Sequence, residues 1–286
     1  MSTQVSLGEF QVTIVSGGRL WIDGGNMFGV IPRMMWQRVA PPDDQHRILL
    51  ETNCVLVRTP NSIGLIDTGY GGKALQKTRE RYSLEDGAPL PRNLAARGVA
   101  PDDIDWVILT HLHFDHAGGL TFRAADGRLQ LTFPRARHFV QRIEWEDATG
   151  NLPELAGAYF PDDFALLEEA GLLELLDGAA EPVPGITTRL TGGHTRGHQI
   201  VMLESGDESA VCLGDMCPTS AHLGTFWTLA YDQFPLDVRR TKPVLMNDIC
   251  AHDRLVLFSH DPNTLSARIS AAGNGGWIVR PQLAGC

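Results

Sequence analysis

One short run governs what this chain can become. Thr110-His111-Leu112-His113-Phe114-Asp115-His116 stands directly after the nearly continuous apolar stretch Asp105–Leu109. Such a stretch reads as a strand buried on both faces, so four good metal ligands leave the end of a core strand together. Along extended backbone, alternate residues point to one side. His111 and His113 can therefore reach one ion, while a turn after Phe114 aims Asp115 and His116 at a neighbouring position. Ala117-Gly118-Gly119 follows and lets the backbone pass close by.

Three further candidates stand at predicted strand ends. Gly192-Gly193-His194-Thr195-Arg196-Gly197-His198 comes after the Ile186–Leu190 strand, Gly214-Asp215 closes Ser209–Leu213, and Ser259-His260 closes Arg254–Phe258. Ligands delivered from four strand ends converge on one rim of a sheet sandwich. Six of the ten histidines thereby become candidates, at 111, 113, 116, 194, 198 and 260. His46, His138 and His252 read as solvated or core residues.

The rest of the chain supplies the frame. Further strands are predicted at Gln11–Val15, Arg19–Ile22, Arg47–Arg58, Ile63–Ile66 and Gln199–Glu204. Helices are expected near Lys73–Tyr82 and near Pro91–Arg97, the latter closed by Gly98. Another is expected over Pro161–Asp177, with Pro161 at its first position and Gly178 past its end. A last one covers Asp237–Cys250, where Pro243 must kink the helix or begin it. Strands, helices, strands and helices again suggest two sheets inside two helical layers. No repeat or long linker interrupts them, which makes residues 1–286 a single domain.

Charge and cysteines narrow the class. With 24 Lys+Arg against 34 Asp+Glu the net charge is −10, which argues against nucleic acid as a partner. No apolar run approaches the roughly 18 residues of a membrane span, so no membrane partner is expected. The first ten residues carry no signal-peptide pattern. Five cysteines, at 54, 212, 217, 250 and 286, are odd in number and lack CxxC spacing, as suits a reducing cytoplasm. The expectation is a cytoplasmic protein.

HxHxDH, then GGHTxGH, then Gly-Asp, then a late Ser-His, in this order, resembles the metallo-β-lactamase-fold hydrolases. Ile66-Asp67-Thr68-Gly69 likewise resembles that family's strand-end Asp turn, which braces the metal loop. The resemblance implies an α/β (α+β) fold, a four-layer αββα sandwich. It implies a first metal on His111, His113 and His194, a second on Asp115, His116 and His260, and Asp215 bridging the two; with His194 filling the family's position, His198 reads as structural. Two Zn2+ suit imidazole and carboxylate donors, and iron, manganese or cobalt would accept them as well. The chemistry implied is hydrolysis by hydroxide made from a bridging water, with Asp115 taking and returning the proton.

Gly24–Pro32, Gly214–His222 and Tyr231–Pro235 are similar to the lactonase and methyl-parathion-hydrolase branch, and within it closest to N-acyl homoserine lactonases. Where some lactonases place Tyr, three residues after the bridging Asp, this chain has Pro218, and His222 or Tyr231 are the expected substitutes in the catalytic set. Met27, Phe28, Ile31, Met34, Met35, Trp36, Phe226 and Trp227 each read singly as core, while their grouping in Gly/Pro-punctuated loops suits an acyl-chain pocket or a homodimer contact. The implied activity is a di-zinc lactonase of quorum-quenching type, acting on a small lactone or ester. The alternatives are a phosphotriesterase or aryl-esterase of the same fold, and a mononuclear iron sulfur dioxygenase.

Overall fold

A computed structural model describes residues 3–273 and 276–285 of the chain. Its first sheet begins with β1 (Gln4–Leu7) turning into β2 (Phe10–Asp23), which pairs along its length with β3 (Arg47–Arg58). The expected break between Gln11–Val15 and Arg19–Ile22 is a register shift between Ser16 and Arg19 inside one long strand. Gly17-Gly18 makes a bulge there, not a loop. β4 (Ile63–Ile66) and β5 (Trp106–Ile108) follow. A small separate hairpin, β6 (Thr121–Arg123) and β7 (Leu129–Leu131), precedes β8 (Arg137–Gln141) and β9 (Leu173–Leu176). The sheet order is β1-β2-β3-β4-β5-β8-β9, with β4, β5, β8 and β9 parallel.

The second sheet runs in chain order through β10 (Ala180–Val183), β11 (Ile186–Leu190), β12 (Gln199–Ser205), β13 (Glu208–Cys212), β14 (Leu255–Leu257), β15 (Thr264–Ala271) and β16 (Trp277–Ala284). Among its described strands only β13 and β14 pair in parallel. The inner faces of the two sheets share one core, in which Val12, Val57, Ile66 and Ile108 meet Ile186, Val201, Leu203 and Leu257. Burying each such side chain contributes about 1.5–3 kcal/mol.

Helices cover both outer faces. Leu90, Leu94, Trp145 and Leu167 pack on the first sheet. Val238, Leu245, Met246 and Ile249 of the Pro235–Ala251 helix pack on the second. This is the four-layer αββα arrangement. Pro235 opens the last helix and Pro243 lies within it, so Pro243 is not its start.

The helix expected over Pro161–Asp177 does not form. A turn at Pro161–Asp163 and a short helix at Leu166–Glu169 are followed by Gly171 with φ 66°. That left-handed residue ends the helix, and the leucine-rich run beyond it becomes β9, paired to β8. Cys54 and Cys212 are buried free thiols, as expected; Cys286 lies outside the described residues. Among the described residues no helix is long and apolar enough to cross a membrane.

Candidate metal centre

The centre is built at the strand ends where the two sheets meet. Asp67, just past β4, holds a left-handed φ of 57°, and its carboxylate reaches the neighbouring end of β5. One oxygen accepts the Thr110 N–H at 2.8 Å, and the other accepts the Thr110 hydroxyl and His116 Nδ1–H, each at 2.8 Å. Having given its proton to Asp67, the Thr110 oxygen can accept from His111 Nδ1, 3.1 Å away. His194 Nδ1 donates to Asp232 and His260 Nδ1 to the Glu51 carbonyl oxygen, both at 2.9 Å. Each of these four rings has its Nδ1 proton committed, so each turns an Nε2 lone pair inward. His113 presents Nδ1 instead.

The inward atoms form two groups. His113 Nδ1 lies 3.0 Å from both His111 Nε2 and His194 Nε2. His116 Nε2 lies 3.0 Å from His260 Nε2, which is 3.6 Å from Asp115 Oδ2. Asp215 stands between, with Oδ2 3.3 Å from His194 Nε2 and Oδ1 3.3 and 3.2 Å from His116 and His260 Nε2. Ligand atoms of each group fall within 4.8 Å of one another. Donors about 2.0–2.1 Å from a tetrahedral zinc are about 3.3 Å apart, close to these separations. Lone pairs facing one another with no proton between them repel, and a cation removes that repulsion. The residues therefore fit a pair of metal ions.

Electrostatics agree. Burial disfavours charge on every imidazole, and it carries His111 and His113 well below the usual range, helped by their imidazole neighbours. For His116, His194 and His260 burial acts the same way but is outweighed. Asp67 and Asp215 raise His116, Asp215 and Asp232 raise His194, and Asp215 raises His260. Burial would also raise Asp215, yet His260, His116 and His194 hold it well below the carboxylate range. The spot between the two groups calls for positive charge.

His198 is structural, as expected. Its Nε2 accepts the Asp215 N–H at 3.1 Å and its Nδ1 bonds the Thr191 hydroxyl at 2.7 Å, while burial pushes its pKa down to about 3. Gly214, at φ 51°, passes so close that a Cβ would lie 2.5 Å from this Nε2. His138 is core, whereas His46 and His252 are exposed.

His222 does not face the centre. It is fully buried, its Nδ1 bonded to Thr219 at 2.7 Å, its Nε2 to the Met27 carbonyl oxygen at 2.7 Å, and its ring stacked on Phe28. With both nitrogens occupied it has nothing to offer a substrate, which corrects that expectation. Tyr231 is half-buried, and its oxygen accepts from Asn26 Nδ2 at 2.8 Å. Burial, with Tyr82 nearby, pushes its hydroxyl up to about 12.

The expected acyl pocket is divided. Met27, Phe28 and Trp36 are core, with Phe28 stacked on Trp36. Ile31 and Trp227 pack against that cluster, whereas Met34, Met35 and Phe226 are exposed. Apolar type alone did not separate wall from core. Other rings lie beside the donor loop. Tyr159 lies 5.6 Å from the His113 ring, and Phe114 lies between Tyr82 at 5.5 Å and Phe160 at 6.4 Å. Sequence reasoning also missed Asp232 and the buried Glu144. Asp232 stood in a segment already singled out, but nothing in its spacing ties it to His194.

Residues 47–227, more than half of the chain, match the family model of the Metallo-beta-lactamase superfamily. The chain belongs to that superfamily. It is 29% identical over 223 residues to an N-acyl homoserine lactonase of a Bacillus species, a match covering 73% of this chain and 80% of that protein. It is 30% identical over 178 residues to N-acyl homoserine lactonase AttM of Agrobacterium fabrum, covering 59% of this chain and 63% of that one. This second match falls short of two-thirds of the relative's length. A probable metal-dependent hydrolase from Staphylococcus aureus superposes with a TM-score of 0.88 at 32% identity, covering 98% of this chain and 100% of that one. AidC, a dizinc quorum-quenching lactonase with a product bound, superposes with a TM-score of 0.78 at 19% identity, covering 98% and 97%. At that identity the likeness is one of fold.

Proposed function

We propose that this metal-dependent hydrolase of the metallo-β-lactamase superfamily opens lactones, N-acyl homoserine lactones foremost, and that its two cations are zinc. The observation that carries the reading is Asp215, whose two oxygens each lie against a different group of donors. Lactonases among the relatives support the substrate class. His111, His113 and His194 would hold one ion and Asp115, His116 and His260 the other, with Asp215 shared. A pair of divalent ions so held supplies hydroxide from water near neutral pH and polarises an ester carbonyl.

The chain's own groups do the rest. Asp115 is partly exposed beside His260, so its carboxylate can take a proton from the incoming water and return it to the ring oxygen as the ester bond breaks. Asn26 donates to the Tyr231 oxygen, which leaves the phenolic proton free to hold a substrate oxygen. Glu51, Asp67 and Asp232 fix ring orientation and leave each Nε2 bare of a proton.

The test is a panel of homoserine lactones of graded acyl length, offered to metal-loaded protein at neutral pH with metal content measured alongside. Ring opening with two zinc per chain is expected. No opening at any chain length overturns the lactonase reading, and a single iron with oxygen uptake overturns the di-zinc one.

A further inference from the structure

Three residues of the 191–198 loop that are not donors to the centre all address one short helix, Arg142–Thr149. The Thr195 hydroxyl donates to Glu144 Oε2 at 2.6 Å. The Arg196 guanidinium grips both oxygens of Asp147, with Nε 2.9 Å from Oδ2. Gly197 lies so close to the helix that a Cβ would fall 2.4 Å from the Glu144 Cβ and backbone nitrogen. Glycine there has a steric reason: it admits Glu144.

Glu144 is fully buried, and its second oxygen accepts the Leu112 N–H at 2.9 Å. Leu112 is the residue between His111 and His113, and Thr195 is the residue after His194. One carboxylate thus joins the peptide between two donors of the first group to the neighbour of the third. Asp67, Asp232 and the Glu51 carbonyl each bond a donor ring directly, whereas Glu144 bonds the two loops that carry the rings.

We propose that Glu144 is a positioning residue which sets the distance between the 110–116 and 191–198 loops, and so the metal affinity of the His111–His113–His194 position alone. A buried carboxylate with no cation beside it is costly unless strong donors satisfy it. Here the Leu112 N–H and the Thr195 hydroxyl contribute, one from each loop. Leu112 adjoins His111 and His113, and Thr195 adjoins His194, whereas neither adjoins Asp115, His116 or His260. Arg196–Asp147 fastens the same loop to the same helix from a half-exposed side chain, and serves as the control for mere anchoring.

This rests on the metal reading above, and the experiment separates the two. Metal-stripped full-length protein is titrated with Co2+ against a competing chelator, and the visible spectrum reports each site. The His260→Ala background leaves only the first position complete, and His194→Ala only the second. Glu144→Gln is expected to weaken the first position by about 10–100-fold and to leave the second within about threefold. Thr195→Val acts in the same direction, Thr195→Ser restores the wild-type value, and Arg196→Gln leaves both positions within about threefold. Should Glu144→Gln fail to fold, the Thr195 pair carries the test. Equal weakening of both positions, or none in either variant, overturns the role of Glu144. Wild-type protein that takes up no cobalt overturns the metal reading itself, and this inference with it.

Discussion

Apart from Asp215, which faces both positions, the His111–His113–His194 position offers imidazoles alone, and its own negative charge stands behind, on Asp232 at the His194 ring and on Glu144 between the loops. At the Asp115–His116–His260 position one donor is itself a carboxylate. Its rings are turned by Asp67 and by a neutral main-chain oxygen of Glu51. Both positions draw on both sheets, since the 110–116 loop leaves the first sheet while His194 and His260 follow strands of the second. The difference lies in where the anions sit. Anionic groups behind the rings raise donor basicity and fix tautomers, whereas an anion in front binds the cation directly.

The largest effect is expected where the two positions meet. Asp215→Asn removes the charge shared between them, and turnover should fall by at least about 100-fold, with one metal equivalent lost. Full activity with both metals retained would make the positions independent and take Asp215 out of the reaction. Next come the braces. Asp67→Asn should weaken the second position and Asp232→Asn the first, each by about 10–100-fold, read in the single-position backgrounds. If both weakened the same position, the division drawn above would fail.

A smaller effect follows from protons. In metal-free protein His116 and His260 are raised, because Asp215, joined by Asp67 at His116, outweighs burial. At the first position only His194 is raised, by Asp215 and Asp232, while His111 and His113 are lowered, chiefly by burial. A proton must leave before a cation binds, so affinity falls with falling pH wherever the ring pKa is raised. From about pH 8 to about pH 6 the second position should therefore weaken several-fold more than the first. Equal slopes in calorimetric titrations at several pH values would contradict this.

The seven proposed donors could be picked out because each stands at the end of a strand whose apolar run announces it, and because their order resembles a known pattern; the structure brings their ligand atoms together. Asp67 was legible for the same reason, as the residue closing β4. Glu144 and Asp232 were not. Each acts on residues more than thirty positions away through a single carboxylate, and one acidic residue in a polar stretch carries no periodicity. The Pro161–Asp177 helix failed on a different point. Its start and stop signals were both present, but Gly171 and an open edge beside β8 drew Leu173–Leu176 into the sheet. His222 failed because sequence proximity to Asp215 says nothing about which way a ring turns; Phe28 and the Met27 carbonyl took it into the core.

The position of Glu144 in the chain bears on how this enzyme can be re-engineered. It lies inside the long excursion between His116 and His194, the same excursion that brings Tyr159 beside the His113 ring and Phe160 beside Phe114. A designer wishing to change what enters would exchange that excursion as a cassette, and would remove with it the strut between the two loops. Diversification is better confined to Gly150–Asp163, with β8 and the Arg142–Thr149 helix left as chassis.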